Sequence, residues 1–396
     1  MKQTTNRSTG NAGGAAAVAF PYWALWAACF LGYTAIGMTI QVIPTYAREH
    51  MAANAIEAGL AVTIGSLASM VIRPVAGRLA DQRGGRPVVM MGSILGSIGG
   101  LAHLVATNIP TLVVARVILG LGEGALYTAA IGWVLSNADP ARRGKIAGHF
   151  GLSMWTGLAG GPILGAAILA LRGYTAVWVV ACVLPVVAWL LLLRSPRTPA
   201  PPPSQDGRRA IFPRAAWAPG ASMAFASFGY GVIAAFLVPR FLALHLPGQE
   251  FALAVFGITF MLARFLGSPV VDRLGAPTVL ILAVIVEAVG LFGLFAVTDV
   301  WSAFICTGLA GAGASMLYPC LASLVTETAS SHERTAALGL MTSAWDLGLA
   351  LGGPVGGVVA GATSAPPFAI AAVAALVAIV PLVARSKRVL APSRRG

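Results

Sequence analysis

The feature that most constrains this chain is a succession of apolar runs, most of them about 20 residues or longer, the length an α-helix needs to cross a hydrocarbon core ~30 Å thick. Divided at charged residues and at Pro and Gly, the sequence gives twelve candidate spans: 21–47, 54–79, 87–107, 109–136, 144–171, 173–194, 215–241, 249–271, 277–298, 300–327, 335–362 and 364–385. The chain is 57% hydrophobic and only 10% charged, so most of its surface must face lipid. With no water to satisfy backbone groups, runs of this length predict helices. The expected fold class is an all-α membrane protein of twelve transmembrane helices.

A net charge of +13 would suggest nucleic acid in a soluble protein, but here the basic residues sit in short loops between spans. Arg78, Arg83 and Arg86, then Arg142, Arg143 and Lys145, the central linker arginines, Arg273, Arg334 and the tail fall at one end. The other end has only Arg48, Arg172 and Arg240. This asymmetry predicts both termini in the cytoplasm and no nucleic-acid partner. Cys29, Cys182, Cys306 and Cys320 all lie inside apolar runs without Cys-x-x-Cys spacing, so neither a disulfide framework nor a metal site is indicated. No Walker-type phosphate loop occurs, and Gly120-Leu121-Gly122-Glu123-Gly124 is not a dinucleotide fingerprint. The chain reads as a non-enzyme without cofactor, driven by an ion gradient.

The segment RSPRTPAPPPSQDGRRAIFPR is the only long polar stretch, and it divides the chain into halves of similar length. The expected partition is 1–19 a disordered cytoplasmic tail, 20–194 an N-terminal six-helix bundle, 195–213 a cytoplasmic linker, 214–386 a C-terminal six-helix bundle and 387–396 a basic cytoplasmic tail. The halves resemble each other. Arg73, Asp81 and Gly84 recur as Arg264, Asp272 and Gly275 at an offset of 191 residues, Ile43-Pro44 as Val238-Pro239 at 195, and Gly161-Pro162 as Gly353-Pro354 at 192. Such a duplicated six-helix unit is the organisation of transporters that place their binding site between two pseudo-symmetric bundles.

Three motifs carry a resemblance to a known family. Gly77-Arg78-Leu79-Ala80-Asp81-Gln82-Arg83-Gly84-Gly85-Arg86 resembles the major facilitator superfamily's loop signature between its second and third helices, with Gln82 and Gly85 standing where basic residues are usual. Arg116-Val117-Ile118-Leu119-Gly120-Leu121-Gly122 resembles its fourth-helix signature, and Gly157-Leu158-Ala159-Gly160-Gly161-Pro162-Ile163-Leu164-Gly165 that of its fifth, associated with exporters that exchange substrate for protons. The run from Gly120 to Tyr127, with Trp345-Asp346-Leu347-Gly348, resembles twelve-helix drug or metabolite:proton antiporters of the sugar or drug efflux branch. Gln41 stands where many drug exporters carry an acid, which argues against a lipophilic cation as substrate.

Within the spans, charged residues are functional candidates because each is costly in hydrocarbon. Glu123, Asp346 and Arg116 are the expected proton-coupling residues. Arg116, Gly120, Glu123 and Tyr127 share one helix stripe, but Arg116 and Glu123 stand about 10 Å apart along the axis, which predicts no direct ion pair. Glu287 and His103 read as lesser candidates, the first on a helix the resemblance places at the periphery. The resemblance also puts the substrate cavity at spans one, four, seven and ten, where Tyr33, Gln41, Tyr127, Trp133, Phe228, Tyr230 and Tyr318 supply polar and aromatic surface. Gly157, Gly161, Pro162, Gly165, Gly353 and Pro354 are the expected helix-packing seal. Gly77, Arg78, Asp81, Gly84, Arg86 and Asp272 are the expected conformational latch between bundles. The reading is a monomeric secondary transporter of the bacterial cytoplasmic membrane that exports a small drug, sugar-like or siderophore-like molecule against protons by alternating access. A proton-linked importer of a sugar or organic acid, and a non-transporting membrane receptor or scaffold, are the alternatives.

Overall fold

The computed structural model describes residues 20–139, 143–195, 214–329, 334–363 and 365–382. The two tails and most of the linker lie outside this range, as do the side chains of Asp81 and Asp272. The described residues form helices α1 (Tyr22–Met51), α2 (Ala55–Arg83), α3 (Gly85–Leu104), α4 (Ile109–Ser136), α5 (Arg143–Leu193), α6 (Trp217–Ala243), α7 (Gln249–Leu274), α8 (Ala276–Ala296), α9 (Val300–Thr328), α10 (Arg334–Thr363) and α11 (Phe368–Val377), with a single 3-10 turn at Arg214–Ala216. Among these, nine helices are long and apolar enough by length and composition to cross a membrane. Helix α5 carries two of the twelve spans, because Gly173 breaks it with φ 75°, ψ −177°.

Local chemistry sets the turns. Asn54 caps α2 and Asn108 caps α4, each in a reciprocal box with the residue three positions on, Glu57 and Thr111. Helix α2 passes to α3 through Gly84 (φ 84°, ψ 159°) and α7 to α8 through Gly275 (φ 80°, ψ 148°), a conformation that glycine adopts at no steric cost. These two glycines lie 191 residues apart, as do the caps Asn108 and Asp299. The duplication therefore extends to backbone angles and caps.

It extends to packing as well. Helix α1 packs on α5, α3 on α4 and α2 on α4; in the other half α6 packs on α10, α8 on α9 and α7 on α9. The crossings match at an offset of 191 residues, except that positions on α6 follow those on α1 by 194. A Cβ placed on Gly122 would lie 2.8 Å from Gly92 O, and one on Gly313 2.5 Å from Ala283 O. One on Gly161 would lie 2.8 Å from Gly37 Cα, and one on Gly352 2.6 Å from Gly231 Cα. Lipid gives helices no hydrophobic drive to associate, so close backbone approach at small residues is what holds them.

Two seams join the halves: α2 against α10 and α5 against α7. The repeat maps one seam onto the other. Helices α1 and α6 also touch, and Gln41 Nε2 donates to the O of Gln249, the first residue of α7, at 3.2 Å. The outer faces are apolar and exposed, with Ile94, Ile98 and Leu101 on α3, Val179, Val183 and Leu190 on the second arm of α5, and Ile281, Ile285 and Val289 on α8. Stripes of this size, at three- and four-residue spacing, belong against acyl chains rather than water.

Candidate functional site

Along the α2–α10 seam, contacts progress from backbone to charge. Ile56 backs onto Gly357 and Gly59 onto Gly353. Thr63 Oγ1 donates to Ala350 O at 2.9 Å. Seventeen residues after Ile56, Arg73 Nε donates to Asp346 Oδ2 at 2.7 Å, with Nη2 3.5 Å from Oδ1. The pair is enclosed, its side chains 13% and 7% exposed. Among the described residues it is the ion pair that joins the two halves inside the membrane.

Glu123, on α4, lies within electrostatic reach of Arg73, Asp346 and Arg116. With Tyr33 of α1 it lines a narrow crevice completed by Gly32, Ser93, Gly96 and Leu126. Tyr33 is buried with its hydroxyl beside the Glu123 carboxyl, and its ring meets Tyr127 edge-on at 5.7 Å. Arg116 is otherwise engaged: Nε donates to Ala61 O, Nη2 to Val62 O and Nη1 to Thr39 Oγ1, at 3.1, 2.7 and 2.9 Å. It ties α4 to α2 and α1 and makes no hydrogen bond to Glu123. Arg73 is thus the cation that two carboxylates on opposite sides of the seam have in common. A buried charge needs a partner or a proton, so the arrangement is suited to binding and releasing a proton where the halves meet.

An aromatic cluster stands beside this group. Trp155 of α5 stacks on Phe260 of α7 at 3.8 Å, across the second seam, and Trp345, adjacent to Asp346, meets Trp155 edge-on at 6.1 Å. Tyr230 stacks on Phe256 at 4.8 Å and lies 6.1 Å from Trp345. A second crevice between the halves is lined by Ile40, Trp155, Pro162, Tyr230, Phe256 and Gly257. Small-molecule sites have this character, apolar and aromatic walls with few polar groups.

The sequence-derived candidates distribute unevenly. Tyr33 and Glu123 line the first crevice, with Tyr127 against Tyr33, and Tyr230 lines the second; Asp346 stands by as the partner of Arg73 and the neighbour of Trp345. Gln41 lies at the closure between α1 and α7. Trp133 packs over Gly85 and edge-on to Phe20, in the core of the first half. Phe228 is buried in the apolar core that both halves contribute to, and Tyr318 lies under the Arg264 guanidinium, 5.4 Å from its ring centre. Gly157, Gly161 and Gly165 seat α5 on Thr34, Gly37 and Met38 of α1, whereas Gly353 lies on the seam itself. Arg86 donates to Leu192 O and Leu193 O at 3.2 and 2.7 Å, capping the last carbonyls of α5 within one half. Arg78 is exposed, and Gly77 and Gly84 fall at the end of α2. Sequence reasoning named Arg73 only as a repeat anchor and Trp345 only within a motif, assigning neither to the site, and passed over Trp155, Phe256 and Phe260. The signal available for Arg73 was that an intramembrane acid calls for an intramembrane base.

The comparisons with known proteins agree with this architecture. The family model described as Major Facilitator Superfamily matches residues 25–246 and 220–395. The uncharacterized MFS-type transporter YhhS of Escherichia coli strain K12 is 31% identical over 358 residues, covering 88% of each chain. An uncharacterized MFS-type transporter of Salmonella typhimurium strain LT2 is 29% identical over 341 residues, 84% of this chain and 87% of its own. Among solved structures, an auto-inhibited POT family peptide transporter superposes with a TM-score of 0.78 at 11% identity, over 95% of this chain and 98% of that one. A mutant of the nucleoside transporter NupG gives 0.74 at 14% identity, over 93% and 99%. The chain is a multi-pass membrane transporter that belongs to the Major Facilitator Superfamily.

Proposed function

We propose that this transporter exports a small organic molecule in exchange for protons, by rocking of bundles 20–194 and 214–386 about the site between them. The observation that carries the reading is the Arg73–Asp346 bridge across the α2–α10 seam with Glu123 beside it. With both acids ionised they compete for the Arg73 charge. A proton on Glu123 leaves the bridge intact and the halves joined, whereas a proton arriving at Asp346 removes half of the bridge. Proton occupancy and bundle separation are then linked, which is the requirement for coupling. The aromatic cluster supplies stacking surface for a ring or a planar face of the substrate. The outward direction rests on the likeness of the Gly157–Gly165 segment, seated on α1, to the signature of exchange exporters. The loop arginines support placement in the cytoplasmic membrane of a bacterium with both termini inside, and lipid and a single copy of the chain are the expected surroundings.

The test uses everted membrane vesicles holding an acid interior, with a fluorescent pH probe and a panel of drugs, sugars and siderophore-type chelators. A transported compound should dissipate the gradient in vesicles carrying this protein. Glu123→Gln should abolish that response while the protein remains in the membrane at normal level. Normal coupling in the variant would remove Glu123 from the mechanism. Accumulation driven by protons moving in the same direction as substrate would replace the exporter with an importer.

A further inference from the structure

Glu287 is an acid that the coupling group does not use. It lies in α8, is 1% exposed, and its Oε2 is buried with no hydrogen-bond partner. Glycines on two neighbouring helices make room for it. A Cβ placed on Gly313 of α9 would lie 2.7 Å from the Glu287 Cβ, and one placed on Gly229 of α6 would lie 3.1 Å from its Oε1. The carboxyl therefore reaches between α8 and α6, at the residue between Phe228 and Tyr230.

Among the described residues, nothing packed against it offers a counter-charge. Tyr230 and Arg240 are the titratable residues of α6; the Tyr230 ring faces Phe256, and Arg240 donates to Phe295 O and Val297 O at the end of α8. On α9, Cys306, Tyr318, Cys320 and Glu327 bring no cation. Among the basic residues of α7, Arg264 is committed to Ser315 O and the Tyr318 ring, and Arg273 falls in the last turn, as does Asp272; Glu250 is in the first turn. Helix α11 contains no titratable residue.

The position is not arbitrary. At the offset of 191 residues, Glu287 corresponds to Gly96 and Gly313 to Gly122, and these two glycines line the crevice that holds Glu123. Both halves thus place one carboxyl at the equivalent helix crossing, from α4 in the first and from α8 in the second. In the first half the carboxyl lines a crevice and feels the Arg73 charge; in the second it is buried against Gly229, Leu291 and Gly313.

An ionised carboxylate without a cation or hydrogen bonds in such surroundings is so unfavourable that the group takes up a proton instead. We propose that Glu287 is a second proton-binding site, occupied at neutral pH in this conformation, whose proton leaves only when α6 withdraws from α8. The inference does not depend on the direction of transport or on whether transport is proton-coupled.

Infrared difference spectroscopy of the full chain in lipid at pH 7, wild type minus Glu287→Gln, tests it. The expected result is loss of one protonated-carboxyl C=O band, equivalent to one group per protein, which in the wild type persists after the pH is raised beyond the ordinary glutamate range. Appearance of carboxylate bands in that difference at pH 7, with no protonated band, overturns the proposal. Glu287→Met, of similar length and apolar, provides the same subtraction should the Gln variant not be recovered. Glu123→Gln is the control, since its difference must leave the Glu287 band in place.

Discussion

At the scale of single residues, Arg73 and Asp346 lie 273 positions apart and form a pair that neither half completes alone. Removing one member leaves the other charged and enclosed, a change that costs about 3–5 kcal/mol in buried pairs, whereas replacing both with apolar residues is often neutral. Asp346→Leu should accordingly lower the thermal unfolding temperature in detergent, and the double variant Arg73→Met/Asp346→Leu should recover most of the loss without recovering gradient-driven flux. If the double variant is no more stable than the single one, the bridge is not the reason for the loss. The two acids were legible in the sequence because a carboxylate in an apolar run stands out. Their shared cation was not, because pairing across the seam depends on how α2 lies on α10. Trp155, Phe260 and Trp345 escaped for a related reason. They come from α5, α7 and α10, outside the four spans expected to line the cavity, and an aromatic residue in a membrane helix carries no mark that separates packing from contact with a ligand.

At the scale of elements, the turns hold more chemistry than the spans. Asn108 and Asp299 occupy equivalent caps, but they respond differently to acid. Asn108 is neutral, and Asn108→Ala should cost about 1 kcal/mol by loss of its box with Thr111, read as earlier unfolding of the purified protein. Asp299 accepts from the Ser302 hydroxyl and from the backbone N–H groups of Ser302 and Trp301, and these bonds, that of the hydroxyl foremost, hold its carboxyl below the usual aspartate range. A group depressed on folding contributes stability above its unfolded pKa, and that contribution disappears as pH falls through the folded value. The α9 cap should weaken in acid in the wild type and not in Asp299→Asn, which hydrogen exchange at the first turn of α9 would register. Equal acid sensitivity in both would show that the cap is not its source. Span positions were readable because apolar length is a direct consequence of membrane thickness. The junction at Gly173 was readable only as a gap between windows, since its geometry depends on a backbone conformation that the pattern of apolar residues does not encode.

At the scale of the whole molecule, the repeat relates the two seams, and the α2–α10 seam is built largely of backbone. A side chain on Gly353 would run into Gly59 O, so Gly353→Val should leave a folded protein that cannot adopt the present arrangement of halves. Distances between spin labels on the outer ends of α2 and α10 should then differ from the wild type, while Gly160→Ala, where nothing lies within 4 Å, should leave them unchanged. Identical distances in wild type and Gly353→Val would sink the idea. The duplication was readable in the sequence from three repeated anchors, among them Arg73 and Arg264, but which faces meet was not, because small residues line intra-half and inter-half crossings alike. The bareness of the seam bears on motion. Interlocked side chains must leave their rotamers one by one before two surfaces part, whereas Gly59 and Gly353 present smooth chain to smooth chain. The seam behaves as a bearing, with little friction and no tolerance for added width, so resistance to movement along it is concentrated in the Thr63–Ala350 hydrogen bond and the charged contact at Arg73.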